Sequence, residues 1–309
     1  MDQLPKFGRN ITDNLLPTFE AYEGLLKAKD ADIRSVRRET HNYGPHPRHV
    51  LDVYFPDRQP STPKTVLVFL YGGGFYAGAR VSGVYAGGLV YGNIGRYFTS
   101  RTGATVIVPD YRLLAHGARY PSGGEDIKFV VDWVKSSLAK REGYENVDII
   151  LLGNSAGGVH VATFLLDPVF EAARREVRAS RNEGGVRLRG AIYLSTPFHW
   201  GDGHDEAVLA YLGEKAVFEN SPVGRLQAAA KAGRLPDVKV LILVSEFDPQ
   251  FIFDTARDFK QTCRGGDVEV RVLQGHNHIS PQLSLGTGIE REEAWGELVA
   301  GFLRSCTSC

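Results

Sequence analysis

The chain contains a serine in a setting suited to nucleophilic chemistry. The segment Gly153-Asn154-Ser155-Ala156-Gly157-Gly158 follows an apolar run at 148–152 and precedes small and apolar residues suited to a helix. Small residues on both sides of a serine allow a sharp turn from strand to helix, and that turn exposes the hydroxyl. The G-x-S-x-G pattern therefore predicts that Ser155 is an activated nucleophile for acyl transfer.

Such a serine needs a base, and the base needs an acceptor that holds it in the correct tautomer. Two later apolar runs, 240–244 and 268–273, lead into loops that contain Asp248 and His278. The chain order Ser, Asp, His is the order that accompanies a nucleophile elbow. Because functional loops gather at the carboxyl ends of parallel strands, we expect Ser155, Asp248 and His278 to form a catalytic triad.

Each of the two loops also holds a second candidate. Glu246 is the alternative acid, although Asp248 lies further past the strand, on a loop that a following proline helps to hold open. Asp254 is a weaker choice because it should already be helical. For the base, His278 is preferred and His276 is the alternative. The histidine that is not the base would be a polar loop residue or would orient its neighbour.

Three consecutive glycines indicate where an oxyanion could bind. An apolar run at 66–70 leads into Tyr71-Gly72-Gly73-Gly74-Phe75, where backbone N–H groups can approach a ligand without a Cβ in the way. Acyl transfer needs two or three such donors, and we expect them from Gly73, Gly74 and Ala156. Neither the Walker pattern nor the dinucleotide-binding glycine pattern is present, so no cofactor and no metal is expected.

The elements that must position these residues follow an alternating pattern. Short runs rich in Val, Ile and Leu alternate with helical stretches after Pro63, which is typical of a mostly parallel sheet covered on both faces by helices. Two earlier segments, 36–40 and 50–54, are separated by turn-forming residues and predict a hairpin. The predicted sheet therefore has eight strands, and the six later ones lie at 66–70, 105–108, 148–152, 191–194, 240–244 and 268–273.

We predict one domain over residues 1–309 with a helical cap contributed by about 1–33 and about 197–236. The first segment contains an amphipathic helical pattern at 13–29, and the second is long, helical and irregular. Aromatic residues in the loops and cap predict an apolar substrate pocket, as is usual for ligand sites. The candidates are Phe75, Tyr76, Tyr85, Phe198, Trp200 and Phe251.

Composition excludes several classes of partner. Lysine plus arginine (36) equals aspartate plus glutamate (36), and no block of like charge is present, so nucleic-acid binding has no support. No apolar run is long enough for a membrane span, and no signal-peptide core lies near Met1. Three late cysteines do not form a disulfide framework, which favours a cytoplasmic location. Nothing in the chain indicates an oligomeric state.

The combined motifs resemble the α/β-hydrolase superfamily, and within it the hormone-sensitive-lipase-like and arylformamidase-like serine esterases. The resemblance covers roughly residues 50–305 and includes an Asp110-Tyr111-Arg112-Leu113 segment that is structural in the family. It implies the α/β-hydrolase fold and a cap, and it supports His278, because an apolar residue usually follows the catalytic histidine. The chain departs from the family pattern at Tyr71, where a histidine is usual. The resemblance therefore does not predict which contacts support the oxyanion loop.

The predicted activity is hydrolysis of a small-to-medium carboxylic ester, a small-molecule substrate, through an acyl-enzyme on Ser155. The Gly275-His276-Asn277-His278 loop is similar to that of arylformamidases, so hydrolysis of N-formylkynurenine is the second hypothesis. A third keeps the acyl-enzyme and changes the acceptor to a hydroxyl, which gives lactone formation or transesterification. A non-catalytic binding protein on a hydrolase scaffold is the alternative from another class, and an intact triad argues against it.

Overall fold

We describe a computed structural model of the chain. It describes residues 1–57, 64–83, 85–177, 185–201, 203, 205–263 and 268–307. The second predicted cap segment is therefore described except at 202 and 204, and the last two residues of the predicted domain lie outside the described residues.

One eight-stranded sheet organises the described part of the chain, in the order β1-β2-β4-β3-β5-β6-β7-β8. The strands β1 and β2 pair with each other antiparallel, and β2 is antiparallel to β4, whereas every pairing from β4 to β8 is parallel. The predicted mostly parallel sheet and its opening hairpin are confirmed. The strands are β1 (Arg37–Asn42), β2 (Val50–Phe55), β3 (Lys64–Leu70), β4 (Thr105–Pro109), β5 (Asn146–Asn154), β6 (Gly185–Leu194), β7 (Lys239–Phe247) and β8 (Val268–Asn277).

Helices cover both faces of this sheet. The first begins two residues before the predicted start, because Asn10 caps it by accepting from the N–H of Asp13, and it continues past Pro17. The α-helices are α1 (Ile11–Lys27), α2 (Asp30–Ser35), α3 (Gly92–Thr102), α4 (Ser122–Trp133), α5 (Ala139–Arg141), α6 (Ala156–Leu166), α7 (Glu171–Glu176), α8 (Glu206–Leu212), α9 (Pro222–Lys231), α10 (Gln250–Thr262), α11 (Ser280–Ser284) and α12 (Glu290–Thr307).

The core lies along the central strands. The apolar side chains of 66–70 in β3 and of 147–152 in β5 are essentially inaccessible to solvent. Burial on both faces explains why these strands consist of continuous apolar runs instead of alternating with polar residues. None of the helices in the described part of the chain has the length and apolar character that a membrane span requires.

The topology brings the predicted functional loops to one edge of the sheet. The strands β3, β5, β6, β7 and β8 are parallel neighbours, so their carboxyl ends point the same way. The glycine loop follows β3, Ser155 follows β5, and Asp248 follows β7. The segment before β1 contains α1, and the long connection after β6 contains α8 and α9. The assignment of these two segments as a cap stays a prediction.

Candidate active site

Ser155 occupies a strained turn between β5 and α6. Its backbone has φ 50° and ψ −120°, a conformation that non-glycine residues adopt only where the surrounding structure enforces it. The flanking glycines are required by close packing: a Cβ on Gly153 would lie 2.5 Å from the carbonyl oxygen of Gly157, and one on Gly157 would lie 2.3 Å from that of Leu70. This geometry is that of a nucleophile elbow, which directs the serine hydroxyl away from the sheet.

Ser155, His278 and Asp248 form a continuous hydrogen-bonded series. The Oγ atom of Ser155 lies 3.0 Å from Nε2 of His278, and Nδ1 of His278 lies 2.7 Å from Oδ1 of Asp248. Because a carboxylate only accepts hydrogen bonds, Nδ1 carries the proton and Nε2 is left to accept from the serine. The side chains of Asp248 and His278 are almost completely buried. The arrangement can therefore take a proton from the serine hydroxyl while stabilising the imidazolium that forms.

Asp248 is held by two donors on its other oxygen. Its Oδ2 atom accepts from the hydroxyl of Ser195 and from the backbone N–H of Ser245, each at 2.7 Å. These contacts orient the carboxylate so that Oδ1 faces the imidazole. Sequence reasoning missed Ser195, although it follows β6 directly and so belongs to the same edge of the sheet.

The alternative acids have other partners. The Oε2 atom of Glu246 accepts from the backbone N–H of Gly275 at 2.6 Å. Asp254 lies within α10 and is 3.1 Å from Arg257 in the next turn. Neither carboxylate is hydrogen-bonded to His278, whose acceptor is Asp248. The geometry therefore favours Asp248 as the acid.

His276 forms hydrogen bonds to residues outside the series of Ser155, His278 and Asp248. Its Nδ1 atom lies 2.8 Å from the hydroxyl of Ser280, and its Nε2 atom lies 3.1 Å from the backbone carbonyl of Glu292. Burial lowers the pKa of His276 to about 3, so the ring is neutral at ordinary pH. With both nitrogens engaged away from Ser155, it serves to hold the loop between β8 and α12.

The glycine loop after β3 packs directly against the elbow. A Cβ on Gly72 would lie 2.8 Å from the side-chain oxygen of Asn154 and 3.0 Å from the Cβ of Ser155. Gly73 and Gly74 have φ values of 142° and 57°, and a Cβ on Gly73 would lie 2.1 Å from the carbonyl oxygen of Ala77. The loop thus requires glycine for close approach and for its backbone conformation.

Three backbone donors are available near the serine. Among the described residues, no acceptor is paired with the N–H groups of Gly73, Gly74 and Ala156. Ala156 is the first residue of α6, where a helix leaves its N–H groups without intrahelical partners. These are the groups that the sequence predicted for oxyanion binding, and the structure brings their segments together around Ser155.

Tyr71 supports this loop in place of the usual histidine. Its hydroxyl donates to Oδ1 of Asp110 at 2.7 Å and accepts from Nη2 of Arg48 at 2.9 Å. The hydroxyl of Tyr111 donates to the backbone carbonyl of Tyr71 at 2.8 Å. Arg80 adds a 2.9 Å contact to the other oxygen of Asp110. A buried polar network therefore fixes the start of the glycine loop, and the sequence did not reveal the part that Arg48 and Arg80 play in it.

A cavity of about 1090 Å³ opens over the serine. Of the predicted pocket residues, Phe75, Tyr76, Tyr85, Trp200 and Phe251 line it. The prediction for Phe198 is wrong: this side chain is completely buried, and its ring centroid lies 4.3 Å from that of Phe259. Phe198 belongs to the core because its ring packs against Phe259 of α10 and its backbone N–H donates to the hydroxyl of Thr255 on the same helix.

Both predicted cap segments contribute to the cavity wall. Ile11, Leu15 and Phe19 line it from α1, and Trp200 and Val208 line it from the connection between β6 and α9. The side chain of Arg9, just before α1, crosses to the acid loop. Its Nη1 atom donates to the backbone carbonyls of Glu246 and Asp248, each at 2.7 Å. The segment before β1 is thus attached to the loop that carries Asp248.

An eight-stranded, mostly parallel sheet with a serine elbow after β5 and an Asp–His pair after β7 and β8 is the arrangement of the α/β-hydrolase fold. A family model described as BD-FAE matches residues 51–171. The chain has the α/β-hydrolase fold, and the proteins that it resembles are esterases and lipases.

Curated relatives match parts of the chain. The bile salt-activated lipase of Homo sapiens is 27% identical over 208 residues, which are 63% of this chain and 27% of the lipase. Esterase LipC of Mycobacterium tuberculosis is 32% identical over 125 residues, which are 40% of this chain and 28% of that esterase. The matched regions thus span only about a quarter of the length of these relatives.

Solved structures share the fold over nearly the whole chain. An esterase of the bacterial hormone-sensitive lipase family has a TM-score of 0.63 at 18% identity, covering 94% of this chain and 98% of its own. Esterase B from Lactobacillus rhamnosis has a TM-score of 0.64 at 15% identity, covering 96% of both chains. At these identities the likeness establishes the fold.

Proposed function

We propose that the protein hydrolyses a small-to-medium carboxylic ester through an acyl-enzyme on Ser155. The observation that carries the proposal is the hydrogen-bonded series from Ser155 through His278 to Asp248, facing unpaired N–H groups across the elbow. The matches to esterases and lipases support the same reaction class.

In the acylation step, Ser155 Oγ attacks the ester carbonyl while its proton passes to Nε2 of His278. The imidazolium is stabilised by its Nδ1–H bond to Asp248. The N–H groups of Gly73, Gly74 and Ala156 donate to the oxygen that becomes negative in the tetrahedral intermediate. When this intermediate collapses, the leaving alcohol takes the proton back from His278.

Water completes the cycle by the same route. His278 removes a proton from the attacking water, the second tetrahedral intermediate forms, and its collapse releases the acid and restores the serine hydroxyl. The cavity of about 1090 Å³ and its aromatic lining suit a substrate with an apolar portion on at least one side of the ester.

Covalent labelling tests the nucleophile. A fluorophosphonate probe should label the full chain at Ser155, and Ser155→Ala should abolish both labelling and ester hydrolysis, with a loss of activity of about 10⁴-fold or more. Ser136→Ala is the matched control because Ser136 is an exposed helical serine distant from the elbow in sequence. Labelling that persists in Ser155→Ala, or an unlabelled protein without activity on any ester, contradicts the proposal.

A pair of amide substitutions tests the acid. Asp248→Asn should lower turnover about 10³- to 10⁴-fold because the amide favours the wrong histidine tautomer. Glu246→Gln should retain most of the activity, since the carboxylate of Glu246 accepts from the backbone N–H of Gly275 and is not bonded to His278. The opposite pattern would assign the acid to Glu246.

A substrate panel then defines the reaction. p-Nitrophenyl esters from acetate to decanoate should be measured beside N-formylkynurenine and a hydroxy-ester, with analysis of free acid against lactone. Ester hydrolysis to free acid is the expected outcome. Faster turnover of N-formylkynurenine would indicate an arylformamidase, and a lactone product would indicate an internal hydroxyl as acceptor.

A further inference from the structure

The lining of the cavity over Ser155 includes two polar side chains that have no hydrogen bond to the described part of the chain. Gln282 on α11 is 4% exposed, its Oε1 is buried without a partner, and its Nε2 donates to no described residue. Tyr91, just before α3, is 6% exposed, and its hydroxyl has no hydrogen bond to any described residue. Both residues line the cavity. Buried polar groups are normally paired, so an unpaired set at a ligand site points to the ligand.

The segments that carry the two side chains are joined by a hydrogen bond. Asn93, two residues after Tyr91, donates from Nδ2 to the backbone carbonyl of Gln282 at 2.9 Å. The ring of Tyr91 stacks on that of Tyr71, with centroids 5.5 Å apart and planes at 10°. Gln282 lies in α11, in the segment that follows His278. The segments that carry the two side chains are therefore joined to each other, and Gln282 belongs to the segment that follows the catalytic histidine.

Both groups are uncharged, and the charged residues of the cavity are already engaged. Burial holds the pKa of Tyr91 far above its ordinary value, so the hydroxyl remains a donor. Arg9 donates to two backbone carbonyls, and Asp205 accepts from the N–H of Val208. A carboxamide presents either its oxygen or its nitrogen by rotating about its last bond. The pair therefore offers one donor and one acceptor to a neutral group.

We propose that Gln282 and Tyr91 bind a hydroxyl group of the substrate, so that the preferred ester has an apolar skeleton with one hydroxyl. With the carboxamide of Gln282 rotated so that its oxygen faces the cavity, a hydroxyl donates to that oxygen and accepts from the phenol of Tyr91, which gives each side chain one hydrogen bond. A site built in this way selects against an analogue that lacks the hydroxyl, because the analogue leaves buried polar groups unpaired. This proposal rests on ester hydrolysis at Ser155.

Matched substrates test the pair. One series consists of p-nitrophenyl esters whose acyl chains or rings carry a hydroxyl, a methoxy group or hydrogen at successive positions. A second series consists of butyrate esters of alkyl alcohols and the corresponding diols, followed by acid release. The measured quantity is kcat/KM for the hydroxyl member divided by kcat/KM for its unsubstituted partner, so a general loss of activity in a variant cancels.

In the wild type, a hydroxyl at one or more positions of the substrate should raise kcat/KM about tenfold or more over the unsubstituted ester. The methoxy ester should be intermediate, because a methoxy group accepts a hydrogen bond but cannot donate one. Gln282→Leu and Tyr91→Phe should each lower that ratio about tenfold, which corresponds to one neutral hydrogen bond. Gln250→Leu makes the same change at an exposed residue of the cavity mouth and should leave the ratio as it is.

The outcomes separate this proposal from the proposed function. If unsubstituted esters are hydrolysed and every ratio stays near one, or the ratio survives both substitutions, hydroxyl recognition is overturned while ester hydrolysis stands. If the ratio falls equally in Gln250→Leu, the effect belongs to the cavity mouth and the assignment to Gln282 and Tyr91 is wrong. If no ester is hydrolysed and the probe does not label Ser155, both proposals fall.

Discussion

Ser195 donates its hydroxyl to Oδ2 of Asp248 across 2.7 Å, on the carboxylate oxygen that His278 does not use. Ser195 has a φ of 47° at the end of β6, and its Oγ also lies 3.1 Å from that of Ser245. The proposed acid is thus oriented by a residue that follows the neighbouring strand, which couples β6 to the hydrogen-bonded series.

We expect Ser195→Ala to lower kcat about three- to tenfold with little change in KM. The variant removes one of two donors to Oδ2, while the N–H of Ser245 continues to hold the carboxylate. Steady-state kinetics on p-nitrophenyl butyrate measure the effect, and urea denaturation checks that the fold is retained. An unchanged kcat would show that the Ser245 N–H is sufficient.

Arg9 is expected to act as a positioning residue for the acid loop. Its Nη1 bridges the carbonyls of Glu246 and Asp248, and the guanidinium carbon lies 5.8 Å from the ring centroid of Phe247. Arg9→Gln should reduce kcat several-fold, because charge-assisted bonds to the loop are lost. Arg9→Lys should recover part of this loss.

Lys6→Gln is the control for Arg9, since it removes an exposed positive charge from the same segment. The measurement is kcat and KM for the three variants beside the wild type. Equal losses in Lys6→Gln and Arg9→Gln would indicate a general charge effect instead of a contact with the loop.

Acid should destabilise the protein partly through His160. This residue of α6 is buried, its Nδ1 lies 3.1 Å from the hydroxyl of Tyr211, and its Nε2 has no partner among the described residues. Burial, with a smaller contribution from Arg112, lowers its pKa to about 4, and Asp126 opposes the shift. The unfolded chain therefore binds a proton between about pH 6.5 and pH 4 that the folded chain does not.

Stability is consequently lost as the pH falls through that window, by about 1.4 kcal/mol per pH unit for one such group. His160→Gln should remove this part of the slope while leaving the part that comes from His276. The measurement is the free energy of unfolding in urea at several pH values from 7 to 5. Parallel curves for the wild type and the variant would contradict the assignment.

The strands and the polar residues at their ends could be predicted because each depends on a short pattern of neighbouring residues in the sequence. Short runs rich in Val, Ile and Leu identified all six later strands, and polar residues just past three of them gave the predictions of Ser155, Asp248 and His278. The choice between His276 and His278 needed the structure, because two histidines separated by one residue at the end of β8 have no periodic signal that tells them apart. Only the packing shows that one faces Ser280 and the other faces Asp248.

The sequence by itself determined the order of the elements, the serine elbow and the composition of the catalytic series, since each depends on a short pattern of residue types. Tertiary structure alone decided which distant side chains complete the site. Arg9 reaches the acid loop from 239 residues away, and Phe198 packs in the core although its neighbour Trp200 lines the cavity. Such contacts depend on how helices lie across the sheet, and no local pattern of residues encodes that.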